Sequence, residues 1–346
     1  PHWGVGIAVV VLSGIVFGFV LNKAGVYVGA VIRGQFRFKE WVMMKTFLTA
    51  AGTSVLVITA LYSYKHKGLV TAAGESSRSA TGLLSPLLGG FLLGTGMAVA
   101  GGCPGTIWAQ LGAGSVASLV TLAAGFVGAA VFAVVSPVLE PLGRVWVVSA
   151  KSLHDLLPVG RTVSGLALAA ILYGIVALIA AMDSSAPLSA GFSAVEWSPM
   201  LAGGVIGLLE LPLILFQGSN VGCSSSFVTA VGGALAPMVS NDYLRKYATL
   251  SRVWQLLFVC AAALGSFLAY ATSHHGHKVC YDVRHDVPLW QGIIGGFLIV
   301  FGARLGSGCT SGHGISGMGH MALRSFTAVA AMFVGGIATV FAFNLS

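Results

Sequence analysis

Sixty-one consecutive residues, those between Arg78 and Glu140, contain no Asp, Glu, Lys or Arg. A soluble domain has no means of keeping so long an uncharged run out of water, whereas a bilayer solvates it. Shorter uncharged stretches at 162–182, 211–241, 253–277 and 325–346 each reach the ~20 residues that a spanning helix needs. Apolar residues make up 56% of the chain and charged ones 8%, far below the ~25% of soluble domains. The chain is therefore read as an all-α, polytopic integral membrane protein. Its net charge of +8 is concentrated in connections such as 33–45 and 245–252, where basic residues commonly face a lipid headgroup surface. Basic residues flank the spans on both sides, so the charge pattern leaves the orientation open. The lipid bilayer, not nucleic acid, is the partner that this charge implies.

The hydropathy pattern predicts about nine spanning or near-spanning helices, at 5–22, 41–61, 83–100, 115–135, 163–182, 198–216, 249–271, 290–304 and 323–343. The first lacks a small-residue cleavage site and reads as a helix, not a signal peptide. The stretches 101–114, 219–236 and 305–319 are apolar enough for membrane depth, but Gly, Ser and Pro break them. They are expected as re-entrant segments, which survive at that depth only where protein or a polar cavity satisfies their backbone.

Two of these broken stretches are related. Residues 89–103 and 295–309 align without gaps at an offset of 206, with 7 of 15 positions identical, and both end on a glycine-framed cysteine, Cys103 and Cys309. The match resumes at offset 207, pairing Gly105 with Gly312 and Phe126-Val127-Gly128 with Phe333-Val334-Gly335. The chain reads as a duplicated half: a first membrane repeat over 1–150, a connecting helix and loop over 151–197, and a second repeat over 198–346. An odd number of intervening spans would invert the two repeats and bring both cysteines towards one axis from opposite faces. Gly14 and Gly18, or Gly203 and Gly207, suit close helix packing. Gly102, Gly105, Gly308 and Gly312 crowd the cysteines too densely for packing alone and are read as site-building. A third segment, Gly218-Ser219-Asn220-Val221-Gly222-Cys223-Ser224-Ser225-Ser226, adds another thiol.

The runs Gly89-Gly90-Phe91 to Gly102-Cys103, and Phe301-Gly302-Ala303-Arg304-Leu305-Gly306-Ser307-Gly308-Cys309-Thr310-Ser311-Gly312-His313-Gly314-Ile315-Ser316-Gly317, resemble the YeeE/YedE family of membrane proteins. The resemblance implies an hourglass-shaped transporter with inverted repeats, which takes up thiosulfate and hands it along cysteine thiols, here Cys103 and Cys309. Family members with that activity carry a further cysteine early in the chain, within a segment that here reads Leu21-Asn22-Lys23-Ala24-Gly25-Val26-Tyr27-Val28. Either that point is lost or Cys223 takes its place. Another sulfur or selenium species is the alternative substrate.

Thiosulfate is a small dianion with a soft terminal sulfur. A neutral thiol donates it a weak hydrogen bond, and weak sites suit transit because the ion must also leave. Ser311, His313, Gln110 and Gln217 are further candidates to line the path. Arg304 is either a functional cation beside it or a helix-end arginine reaching the interface. Glu210 is either a proton carrier or the partner of a basic residue. An integral-membrane sulfurtransferase holding a persulfide on Cys103 or Cys309 would need a base, for which only His313 is near in sequence. Metal binding by Cys309 with His313, or by His274, His275, His277 and Cys280, is a weaker alternative. Cys260, within an apolar helix pattern, reads as a core residue. No ATPase motif and no cofactor signature is present, and the expected class is a transporter rather than an enzyme. Its expected partners are thiosulfate or a related sulfur anion, and a soluble sulfur-carrier or sulfurtransferase protein.

Overall fold

The computed structural model describes residues 3–64, 66–78, 82–156, 158–183, 197–239, 241–273 and 287–345, and among these it is helical, with a single isolated bridge between Ser152 and Ala322. The first half holds α1 (Trp3–Lys23), α2 (Gly29–Phe36), α3 (Val42–Ser63), α4 (Lys67–Arg78), α5 (Leu84–Ala100), α6 (Thr106–Gly112) and α7 (Val116–Leu139). After α8 (Arg161–Met182), the second half runs through α9 (Pro199–Leu208), the short α10 (Glu210–Pro212) with a π-helical turn Leu213–Gln217, then α11 (Ser225–Leu235), α12 (Asp242–Tyr247), α13 (Trp254–Ser273) and α14 (Leu289–Leu305). A π-helical segment, Thr310–Gly317, and α15 (Leu323–Phe343) complete it.

Among the described residues, seven helices are long and apolar enough to cross a membrane: α1, α3, α7, α8, the combined segment Pro199–Gln217, α13 and α15. The helices expected at 83–100 and 290–304 are present as α5 and α14, at 17 residues each, near the expected bounds and short of the ~20 residues of a full span. The reason is local. Gly101 caps α5 in the left-handed region (φ 61°), and Ser307 adopts φ 66° just beyond α14, so both helices stop where the thiol loops begin. With the segment Thr310–Gly317, bent from it by 42°, α14 makes an eighth candidate span.

Element order recurs in the two halves. A long helix precedes a broken loop and a short helix (α1 then α2; Pro199–Gln217 then α11), and later a 17-residue helix precedes a cysteine loop, a short helix and a long one (α5, α6, α7; α14, Thr310–Gly317, α15). Packing follows the same exchange. α1 lies on α13 while α3 lies on α9, and α5 lies on α15 while α7 lies on α14. Glycine permits these contacts: a Cβ at Gly14 or Gly18 would run into the α13 backbone at Phe258 or Ala262, and one at Gly203 or Gly207 would meet α3 at Thr46 or Ala50.

Some basic residues of the 33–45 connection are not at a surface. Arg33 is buried, donating to the carbonyls of Ala98 and Val99 at 3.1 and 2.8 Å and to Gln291 at 2.7 Å, so a cation closes the C-terminal end of α5. Lys45 forms a buried ion pair with Asp183 at 2.7 Å, tying α3 to the end of α8. Cys260 is also displaced from its expected place, on the exposed face of α13 rather than in the core. The cluster His274, His275, His277 and Cys280 lies outside the described residues.

Truncating Asp183 to Ala leaves Lys45 buried without its countercharge, a change that costs about 3–5 kcal/mol in comparable sites. The thermal midpoint of the detergent-solubilised protein is expected to drop clearly for Asp183→Ala, and the double variant Lys45→Met/Asp183→Leu to recover much of the loss.

Candidate functional site: three buried thiols between two cavities

Each of three cysteines sits in a broken loop directly ahead of a short helix. Cys103 precedes α6, Cys223 precedes α11, and Cys309 precedes the segment Thr310–Gly317. The loops are built from local bonds. The Cys103 amide donates to Thr106 Oγ1 at 2.6 Å, the Thr106 amide donates to Cys103 Sγ at 3.4 Å, and the Cys103 carbonyl accepts from the Ile107 amide at 3.0 Å. Likewise the Cys309 carbonyl accepts from the His313 amide at 2.7 Å, and the Cys223 carbonyl from the Ser226 hydroxyl at 2.6 Å.

The fold brings these loops together in its core. Ser311 Oγ lies 3.2 Å from Cys309 Sγ and donates towards Cys223 Sγ at 3.8 Å, so one hydroxyl stands between two thiols. Gly105, beside Cys103, lets the Cys223 thiol approach so closely that a Cβ there would stand 3.1 Å from its sulfur. Cys309 and Cys223 are 1% and 0% exposed, and Cys103 is 7% exposed.

A cavity of about 1530 Å³ reaches Cys309, Gly308 and Gly312 from one direction. A cavity of about 40 Å³ touches Cys103, Gly105, Thr106 and Ser311, and is otherwise lined by Thr46, Thr310 and apolar groups such as Phe17, Leu21, Met43 and Phe47. Cys309 belongs to the first and Cys103 to the second; Cys223 lines neither and meets Ser311 of the Cys309 segment and Gly105 of the Cys103 loop. Gln217 also lines the large cavity, away from the thiols near Gly6.

Arg304 does not snorkel. It is 6% exposed, and its guanidinium donates to Tyr243 Oη at 2.9 Å, Tyr247 Oη at 2.7 Å and Ser225 Oγ at 3.1 Å, on the wall of the large cavity. Among the described residues no carboxylate lies within ion-pair distance of it. Arg324, also buried, lines the same cavity and its Nε has no hydrogen-bond partner among the described residues. Arg304 thus brings a positive charge to this wall without an ion-paired countercharge, while Glu75, Glu140 and Asp242 line the cavity elsewhere. Sequence reading missed the Tyr243 and Tyr247 cradle, although their i, i+4 spacing places them on one face of α12. It also missed Thr106, whose hydroxyl and amide shape the Cys103 loop.

Gln110 serves the backbone: its amide donates to the carbonyls of Tyr27 and Gly101 at 2.9 and 2.8 Å. Gly102 lies above the same side chain, with a Cβ there falling 3.4 Å from Gln110 Oε1. His313 is held at both nitrogens, Nδ1 3.0 Å from the Ser325 hydroxyl and Nε2 3.0 Å from the Gly306 carbonyl, which as an acceptor places the ring proton on Nε2. Neither nitrogen is left to act as a base or a metal ligand at Cys309. Among the described residues no group of three His, Cys, Asp or Glu converges as a metal site would require.

The fold and this centre define a multi-pass membrane protein organised around three buried thiols. The family model for sulphur transport matches residues 23–338, and the chain belongs to that family. A probable transporter of Xylella fastidiosa (strain Temecula1 / ATCC 700964) is 30% identical over 147 residues, which are 41% of this chain and 91% of that relative. The thiosulfate transporter TsuA of Escherichia coli (strain K12) is 25% identical over 340 residues, covering 94% of this chain and 91% of that protein.

A Cβ at Gly308 would stand 2.7 Å from His313 Nε2, the atom that holds the Gly306 carbonyl, whereas Gly204 faces open space. Gly308→Val is therefore expected to abolish transport of labelled substrate in reconstituted vesicles, and Gly204→Val to retain wild-type rates.

Proposed function

We propose that the protein takes up a small sulfur anion, with thiosulfate as the first choice, through Cys309, Cys223 and Cys103 in turn. The observation that carries this reading is the placement of Cys309 on the large cavity and Cys103 on the small one, with Cys223 meeting Ser311 of the Cys309 segment and Gly105 of the Cys103 loop. Arg304 and Arg324 attract a dianion to their part of the wide cavity by charge, while Glu75, Glu140 and Asp242 line it elsewhere. Beyond Cys309 the lining offers thiols and hydroxyls, whose weak hydrogen bonds suit a soft sulfur and release it readily. Thr106 occupies the Cys103 sulfur as an acceptor and leaves its S–H as the donor.

The exchange of packing partners between the halves supports inverted repeats, as does the match of a 147-residue stretch to nearly the whole of a shorter relative. In that scheme the loop at 24–28 after α1 and the loop at 218–224 after Pro199–Gln217 are counterparts. Cys223 then stands at the equivalent of the early segment that lacks a cysteine, while Asn22 in that segment bonds Ser266 at 3.0 Å. A soluble sulfur-carrier or sulfurtransferase protein is the class of partner that would consume the delivered sulfur.

Uptake of radiolabelled thiosulfate into proteoliposomes tests the reading. Cys309→Ala and Cys103→Ala are each expected to reduce uptake to background in folded protein, and Cys260→Ala, on the outer face of α13, to leave it intact. Equal loss in all three overturns the assignment. Excess sulfate, which has no soft sulfur terminus, is expected to compete poorly, and strong competition would indicate recognition by charge alone.

A further inference from the structure

Glu210 interrupts an apolar span and is completely buried. Among the described residues no cation lies within ion-pair distance of it, and its Oε2 has no hydrogen-bond partner. Its Oε1 meets the Ser316 hydroxyl, and the same hydroxyl lies 2.7 Å from the Val221 carbonyl. A serine hydroxyl owns one hydrogen. It can serve both acceptors only if the carboxyl supplies a proton of its own, in the order Glu210 O–H to Ser316 Oγ, then Ser316 O–H to the Val221 carbonyl. A neutral acid also accounts for the bare Oε2, since a buried carboxylate oxygen without donor or countercharge is costly.

The position of this relay gives it a consequence. Ser316 belongs to the segment that begins just after Cys309 and contains Ser311, and Val221 lies two residues before Cys223. Ser316 and Val221 both line the large cavity, so water there reaches the relay. We propose that Glu210 is a proton-binding site whose occupancy controls passage of the sulfur anion, an inference that rests on the transport reading above. With the proton bound, the relay clamps the Cys223 loop to the Cys309 segment. When the proton leaves to cavity water, the carboxylate takes the only Ser316 hydrogen, the Val221 carbonyl loses its bond, and a fixed negative charge stands beside the route of a dianion. Protonation opens the route, and the proton offsets part of the charge that the dianion carries.

The groups around Glu210 leave it as the candidate. Of the elements packed on it, α9 and Leu213–Gln217 carry no titratable side chain, and α3 carries Lys45, paired with Asp183, and Tyr62, which lies beneath Lys67 and Arg161. On the facing segments, His313 bonds Ser325 and Gly306, Cys223 and Cys309 are the thiols themselves, and His320 bonds Asn220 at 3.1 Å. The Val221 backbone amide also faces the carboxyl, but outside hydrogen-bonding geometry, so Oε2 stays without a partner.

Two readouts on the full chain test the proposal. Infrared difference spectra between acid and alkaline buffer are expected to show a carboxylic-acid carbonyl band that Glu210→Gln lacks, a signal that needs no transport. Thiosulfate uptake into proteoliposomes is expected to accelerate when the outside is made acidic, and Glu210→Gln, which retains a donor towards Ser316, to lose that response. Absence of the band at every pH, or an unchanged response in the variant, overturns the proposal. A band without any wild-type uptake would overturn the transport reading and leave the proton site standing. If Glu210→Gln fails to fold, Ser316→Ala keeps the acid and removes its acceptor, so an unshifted band and an unchanged pH response in that variant are equally decisive against it.

Discussion

Backbone that leaves the helix at membrane depth has no water to bond to, so every broken turn must find its partners inside the protein. Three such breaks carry the thiols, and side chains from distant parts of the chain close them. Gln110 holds the carbonyls of Tyr27 and Gly101, Arg33 holds those of Ala98 and Val99, Ser85 donates to the Leu305 carbonyl, and Ser316 to that of Val221. Each of these residues is polar, buried and far in sequence from at least one of the groups it serves. Without them the glycine loops would have no reason to remain open beside the thiols.

Close packing is the second dependence. Gly18 on α13, Gly94 on α15 and Gly207 on α3 let backbones touch where any side chain would collide. That contact fixes how far apart the two halves lie, and so the distance from Ser311 to Cys223 on one side and from Gly105 to Cys223 on the other. The thiol centre is therefore set by helix contacts several turns away from it, and its aperture is a property of the whole bundle.

Charge is distributed with the same economy. Buried cations are held in different ways: Lys45 is neutralised by Asp183, Arg33 is bonded to carbonyls, and Arg304 is spread over Tyr243, Tyr247 and Ser225. The last arrangement leaves the Arg304 charge itself uncancelled on the cavity wall, because phenols and a serine hydroxyl carry no negative charge. Glu210 is the opposite case, a buried acid with hydroxyl company and no cation.

Much of this was legible in the residues alone. Uncharged length identified most of the spans, and the gapless match of 89–103 with 295–309 singled out Cys103 and Cys309, because both matched stretches end on a cysteine framed by glycines. Gly, Ser and Pro density located all three broken loops, since those residues disfavour a continuous helix. The burial of Arg33 and Lys45 and the outward face of Cys260 were not legible, because a basic residue or a cysteine carries no local mark of which neighbour it will meet. Local preference and hydrophobicity act along the chain, and they determined helices, breaks and the membrane. Only tertiary contacts decided that Cys223 would meet Ser311, that His313 would be held at both nitrogens, and that Ser316 would be shared by Glu210 and Val221, since those bonds join residues separated by up to about a hundred positions.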